Sequence, residues 1–247
     1  MKHLIATTAL LGTLASAAFA QSLTPMTDEE RALFRAEVRA YLFENPEVIM
    51  EAVEILQNRE AESQAQADFG LVTAHADEIF NEGFSWVGGN PDGDIVLVEF
   101  LDYRCGYCKR AHGEVAQLLE SDGNIKLIVK ELPILGDASV MASRFAVAVK
   151  QVSGDDNYKA VADALMSVQG DITLPALRRL GNTFGLDMPA IEAHMDSEEV
   201  TAEISATREL AGKLQISGTP TFVLQDELLR GYLPLDQMQA IVADKRG

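Results

Sequence analysis

The chain has 247 residues, 38 of them acidic and 20 basic, for a formal net charge of −18. A surface of that sign argues against nucleic acid as a partner and favours a soluble, self-repelling protein. Its hydrophobic content of 47% suits a globular chain with one or two cores.

Residues 1–20 read as a secretory signal: Lys2 supplies a positive start, Leu4 to Leu14 an apolar run, and Ala18-Phe19-Ala20 a cleavage site before Gln21. The run is shorter than the roughly 20 residues that a spanning helix needs. Export to the bacterial periplasm is the expectation, a compartment in which disulfide chemistry operates.

Thr27-Asp28-Glu29-Glu30 is a capping-box pattern, and Phe34, Val38 and Tyr41 follow at helical spacing. Asn45-Pro46 ends that helix and starts another, whose apolar stripe is Ile49, Val53 and Leu56. Gln57 to Asp68 reads as a helical or flexible linker, and Leu71 to Phe80 as helix. Residues 21–68 thus form an N-terminal helical arm with an apolar stripe too small for a core of its own. It must pack on the following domain or on copies of itself.

Strand signals come next at Phe84 to Val87 and in the β-branched run Ile95 to Phe100, which has the composition of a strand buried on both faces. Cys105 to Leu119 suits a helix and Ile125 to Val129 another buried strand. A helical block occupies about 138–215, with breaks expected near Gly154, Gly170, Gly181 and Gly185. Strands at Thr221 to Leu224 and Leu228 to Tyr232 and a helix from Leu235 to Asp244 complete the chain. The order β-β-α-β, helical block, β-β-α predicts an α/β thioredoxin fold with a helical insertion over residues 69–247.

The only two cysteines are Cys105 and Cys108. A disulfide between them closes almost no loop and so adds little stability, which points to a bond made for exchange. A thiolate at the start of a helix is stabilised by free N–H groups and the helix dipole, which marks Cys105 as the nucleophile. Cys108, one turn on, can resolve a mixed disulfide. Arg104, Lys109 and Arg110 cluster around the pair, either as further thiolate stabilisers or as a solvated patch. No second Cys-x-x-Cys exists to complete a zinc site. A two-thiolate Cu(I) site at Cys105 and Cys108 is the remaining metal alternative. Gly218-Thr219-Pro220 leads into a strand, where a cis proline would expose backbone groups to a substrate strand.

Glu99 lies in mid-strand six residues before Cys105. Burial there would raise its pKa and suit it to move a proton during exchange. Asp102, Lys130 and Glu131 are weaker candidates for the same neighbourhood. His75, His112 and His194 read as surface or helix-face residues, and Trp86 as core.

On Phe100 to Lys109, Lys130 to Gly136 and Thr219-Pro220, residues 80–245 resemble the DsbA superfamily of thioredoxin-fold proteins. The resemblance implies Cys105 as reactive thiol, Cys108 as its partner, Pro220 as the cis proline and Glu99 as the buried acid. Gly106-Tyr107 and Thr219 depart from the usual DsbA oxidase and resemble the disulfide isomerase DsbC. Thr27 to Glu60, with Tyr41 to Val48, resembles the helical arm of suppressor-of-copper-sensitivity C proteins. That likeness implies trimerisation through residues 27–60 and isomerase or reductase activity linked to copper tolerance. The expected site is therefore Cys105, Cys108 and Glu99 for chemistry, with Gly106, Tyr107, Thr219 and Pro220 against substrate. The expected partners are secreted proteins carrying disulfides and a membrane-bound reductase, and no cofactor beyond the Cys105–Cys108 redox pair is needed. A periplasmic Cu(I) carrier and a DsbA-like oxidase are the competing functions.

Overall fold

A computed structural model describes residues 26–247; the expected signal segment lies outside the described residues. The chain divides into two compact units, one ending at Gln57 and one running from Asn58 to Gly247.

In the first unit, α1 (Asp28–Glu44) starts at the capping box read from the sequence. Thr27 Oγ1 accepts from the Glu30 N–H, and the Glu30 carboxylate accepts from the Thr27 N–H. The Asn45 N–H donates to the Tyr41 carbonyl, and α2 (Glu47–Ala74) begins after Pro46. No residue of α1 is buried. Phe34, Val38, Leu42, Phe43 and Ile49 line an apolar cleft rimmed by Arg35 and Arg39. The run Gln57 to Asp68, open between helix and flexible linker from its composition, is helical throughout.

The second unit contains the end of α2, the short α3 (Ala76–Phe80), β1 (Trp86–Gly89), β2 (Ile95–Leu101), α4 (Gly106–Asp122) and β3 (Ile125–Glu131). Five helices follow: α5 (Asp137–Ser153), α6 (Asp155–Ser167), α7 (Leu174–Thr183), α8 (Met188–Met195) and α9 (Glu198–Lys213). The chain closes with β4 (Thr221–Leu224), β5 (Glu227–Arg230) and α10 (Leu235–Arg246). The five-stranded sheet has the order β1-β3-β2-β4-β5. Within it β2 and β3 are parallel, and the other pairs are antiparallel. This is a thioredoxin fold, with the helical block between β3 and β4.

Side chains alternate across the sheet. Leu97 and Leu101 of β2 join a core with Val115 and Leu118 of α4 and Phe145 of α5, while Val98 and Phe100 join a second with Ile79, Leu210 and Leu214. Central β2 is therefore apolar on both faces, as its composition predicts.

Four of the differences from the sequence reading have a local physical cause. First, β1 includes Gly88 and Gly89, which pair with Leu127 and Lys126. A side chain at Gly88 would meet the Trp86 ring at 2.0 Å, so glycine here makes room for a core tryptophan. Second, Gly181 does not break a helix. It lies inside α7, and glycine stands there because a Cβ would sit 2.0 Å from the Met188 sulfur. Third, an unforeseen break precedes α9, where the Ser197 side chain caps the helix by accepting from the Val200 N–H. Finally, β5 ends at Arg230 instead of Tyr232: Gly231 turns the chain at a φ of 87°, and its N–H donates to the Pro220 carbonyl.

Candidate active site

The loop from β2 to α4 is tied down by Asp102. Its carboxylate accepts from the N–H groups of Arg104, Ile134 and Leu135 at 2.8–3.0 Å and from the Ser139 hydroxyl at 2.8 Å. The Asp102 carbonyl accepts from the Cys105 N–H. Asp102 is thus an organiser of the loop, not a reacting group.

Cys105 occupies the N-cap of α4, where its sulfur accepts from the Cys108 N–H at 3.4 Å. The other side of that sulfur meets the sheet: Cys105 Sγ donates to the Thr219 carbonyl at 3.0 Å. The Thr219–Pro220 peptide bond is cis, as expected. Cys105 is 7% exposed and Cys108 0%. Burial pushes the Cys108 thiol far above its usual range, and the Asp102 backbone opposes this by a smaller amount. The sulfur with the solvent face and the helix N–H is therefore the one suited to attack. Tyr107 is exposed, and its ring lies 6.0 Å from that of Tyr232.

Among the described residues none of the three basic side chains bonds to either thiol, which favours the solvated-patch alternative. The Lys109 ammonium donates to the Val168 carbonyl, Arg110 lies 4.6 Å over the Tyr232 ring, and Arg104 points to solvent. Among the described residues only the Cys108 N–H donates to Cys105 Sγ.

Glu99 is 2% exposed, and its Oε1 has no hydrogen-bond partner. Burial raises its pKa to about 7; His112 opposes the rise and Glu131 adds to it. It lines a cavity beneath α4 with Trp86, Val115, Tyr158, His112 and Asp163. His112, read from sequence as an ordinary helix-face residue, stands at this cavity with Nε2 3.0 Å from Asp163 Oδ1. Asp163 lies on α6, and nothing local to His112 signalled that pairing.

Lys130 and Glu131 do not share one neighbourhood, because adjacent strand residues face opposite ways. Lys130 turns to the far face of the sheet, 2.7 Å from Glu82 and bonded to the Glu78 carbonyl. Glu131 faces the core under α5 and α6. It accepts from the hydroxyls of Tyr103, Tyr158 and Ser143 at 2.6–2.7 Å. Burial raises its pKa to about 7 against those hydroxyls. His75 pairs with Glu78, and His194 contacts Gln151, both far in sequence from the dithiol. No cluster of three or more His, Cys, Asp or Glu residues with metal-site geometry occurs among the described residues.

A Cys-x-x-Cys pair at a helix start, facing a cis proline across a sheet of this order, defines the thioredoxin-like class of proteins. Residues 96–243 match the family model of the DSBA-like thioredoxin domain, and the chain belongs to that family. Residues 30–62 match the N-terminal domain of the copper resistance protein ScsC. A thioredoxin-like oxidoreductase from Silicibacter pomeroyi is 40% identical, with a TM-score of 0.65 over 69% of this chain and 96% of that one. ScsC of Proteus mirabilis in a compact conformation is 29% identical, with a TM-score of 0.64 over 87% of this chain and 98% of that one. A Na+/H+ antiporter of Salinispora arenicola is 26% identical over 156 residues, 63% of this chain and 24% of the antiporter. The chain spans about a quarter of the length of such curated relatives. Among the described residues no helix is long and apolar enough to cross a membrane.

Proposed function

We propose that the protein is a periplasmic thiol–disulfide oxidoreductase acting on disulfides of secreted proteins, as an isomerase or reductase in preference to an oxidase. The observation that carries this reading is the asymmetry of the dithiol: Cys105 caps α4 beside the Thr219 carbonyl, while Cys108 is fully buried behind it. The Cys105 thiolate attacks one sulfur of a substrate disulfide, forming a mixed disulfide and releasing the other substrate sulfur as a thiolate. A different substrate thiolate can then displace Cys105, giving isomerisation with no net redox change. Attack by Cys108 instead reduces the substrate by two electrons and leaves the Cys105–Cys108 disulfide. That outcome requires a dithiol donor, which we assign to a membrane-bound reductase.

Gly106, Tyr107 and the Thr219-Pro220 loop frame the approach to Cys105 and are the proposed substrate contacts. We assign the apolar cleft of the arm to self-association as a trimer through residues 27–60. Several sites around one substrate raise the effective concentration of thiol once the first bond has formed. Reactivation of scrambled ribonuclease in a mild thiol buffer tests the reading. Substantial recovery supports an isomerase, and failure leaves an oxidase or a dedicated reductase.

A second reading, Cu(I) carriage by the same thiolates, is favoured by the match of residues 30–62 to a copper resistance protein's domain. Soft thiolates select that ion. It requires one copper per reduced site, lost in Cys105→Ala and in Cys108→Ala.

A further inference from the structure

We propose that His112, held by Asp163, is the port through which the buried Glu99 exchanges protons with solvent while Cys108 turns over. The proposal rests on the thiol–disulfide reading above and adds a positioning residue to it.

The need for a port follows from burial. Resolution by Cys108 requires its proton to leave a sulfur with no solvent exposure. Glu99 is the carboxylate placed to take part: it sits on the face of β2 that packs under α4, with one oxygen lacking any partner. Burial that favours this role also cuts Glu99 off from water. Much of the cavity it faces is apolar, with Trp86, Leu101, Val115, Val129 and Ala162 in its walls. A carboxylate that accepts a proton in such a place and cannot pass it on works once.

The polar way out lies along two helices. His112 follows Cys108 by one turn of α4, so the two share a helix face. Its Nε2 is 3.0 Å from Asp163 Oδ1 on α6, and both side chains are partly exposed while Glu99 is not. The titratable groups around Glu99 are His112 from α4, Tyr158, Lys159 and Asp163 from α6, and Glu131 from β3. Tyr158 stays a neutral phenol, because burial pushes its pKa well up, and it is committed to Glu131. Lys159 is paired with Asp163 at the surface. Glu131 is enclosed by three hydroxyls and has no exposure to speak of. That leaves His112, whose imidazole can take up a proton at one ring nitrogen and release one from the other.

The Cys108 sulfur attacks the Cys105 sulfur of the mixed disulfide, and the Cys105–substrate S–S bond breaks. The substrate leaves as a thiolate and takes a proton from water. The Cys108 proton passes beneath α4 to the Glu99 carboxylate, from there to His112, and from His112 to water. Two electrons move from the enzyme dithiol to the substrate.

The test uses the full chain with His112→Gln and His112→Ala. Resolution of a mixed disulfide preformed on Cys105 is followed in single turnover from pH 5.5 to 8.5, with alkylation of Cys105 by iodoacetamide as control. The port predicts resolution slowed roughly 100-fold at pH 6–7, the low end of what one positioned proton-transfer group contributes. Alkylation should stay within twofold, and free imidazole should restore rate to His112→Ala but not to His112→Gln. A purely structural His112 would shift alkylation and resolution together and show no imidazole rescue, which overturns the proposal. Profiles for His112→Gln that superpose on wild type overturn it too, leaving the thiol–disulfide reading intact. No exchange by the wild type would overturn both.

Discussion

Cys105 Sγ and the Thr219 carbonyl oxygen lie 3.0 Å apart although 114 residues separate them in the chain. One side of the reactive sulfur is built by a helix start and the other by the entry to β4, so the site exists only in the folded sheet. Cys105→Ala should therefore abolish thiol–disulfide exchange outright. Cys108→Ala should keep Cys105 reactive and accumulate mixed disulfides with substrate, read on non-reducing gels and by mass spectrometry.

Glu99 makes stability depend on pH in a defined window. Its pKa is raised from 4.5 to about 7 in the folded protein, mainly by burial. The unfolded chain releases that proton first, so stability falls as pH rises from about 4.5 to 7 and is flat above. Glu99→Gln removes this dependence. Relative to wild type it should gain up to about 3 kcal/mol between pH 4.5 and 8. Urea unfolding across that range measures the gain, and a constant difference would contradict the assignment.

The Glu131 hub predicts non-additive losses. Tyr103 and Tyr158 both donate to its Oε1, and Ser143 donates to Oε2. Each Tyr→Phe change removes a buried bond worth roughly 1.5–3 kcal/mol when the acceptor is charged. The double variant should differ from the sum of the singles by more than about 0.5 kcal/mol, because one oxygen serves both phenols. Thermal melts at pH 8, above the Glu131 pKa of about 7, provide the comparison.

Self-association through the arm predicts that Phe34→Asp with Val38→Asp, in the full chain, gives monomers by sedimentation equilibrium. Reactivation of scrambled ribonuclease should fall, and the alkylation rate of Cys105 should not change. A wild-type monomer would end the trimer assignment.

Much of the site was legible because its chemistry is local. A Cys-x-x-Cys after a β-branched strand, a Thr-Pro before another, and a lone acid inside an apolar run each carry their meaning in a few adjacent residues. What escaped notice depends on partners remote in sequence. His112 looks ordinary until α6 delivers Asp163, and Gly181 reads as a helix breaker until the Met188 sulfur occupies the space a side chain would need. The two alternatives for the basic residues near the dithiol are likewise not separable from sequence. Charge density along a chain does not say where long side chains point, and Lys109 and Arg110 reach Val168 and Tyr232 instead. Lys130 and Glu131 could have been separated from sequence alone, since neighbours in a strand face opposite sides.

The strand order has a consequence for assembly. Central β2 is flanked on one side by β4, which follows the entire helical block. A chain emerging N-terminus first presents both thiols long before Thr219 arrives to meet one of them. Until then β2 has an open edge and Cys105 lacks its carbonyl partner. The dithiol site thus assumes its full geometry only near the completion of the chain's own folding, and any truncation before Thr219 leaves the cysteines without the site.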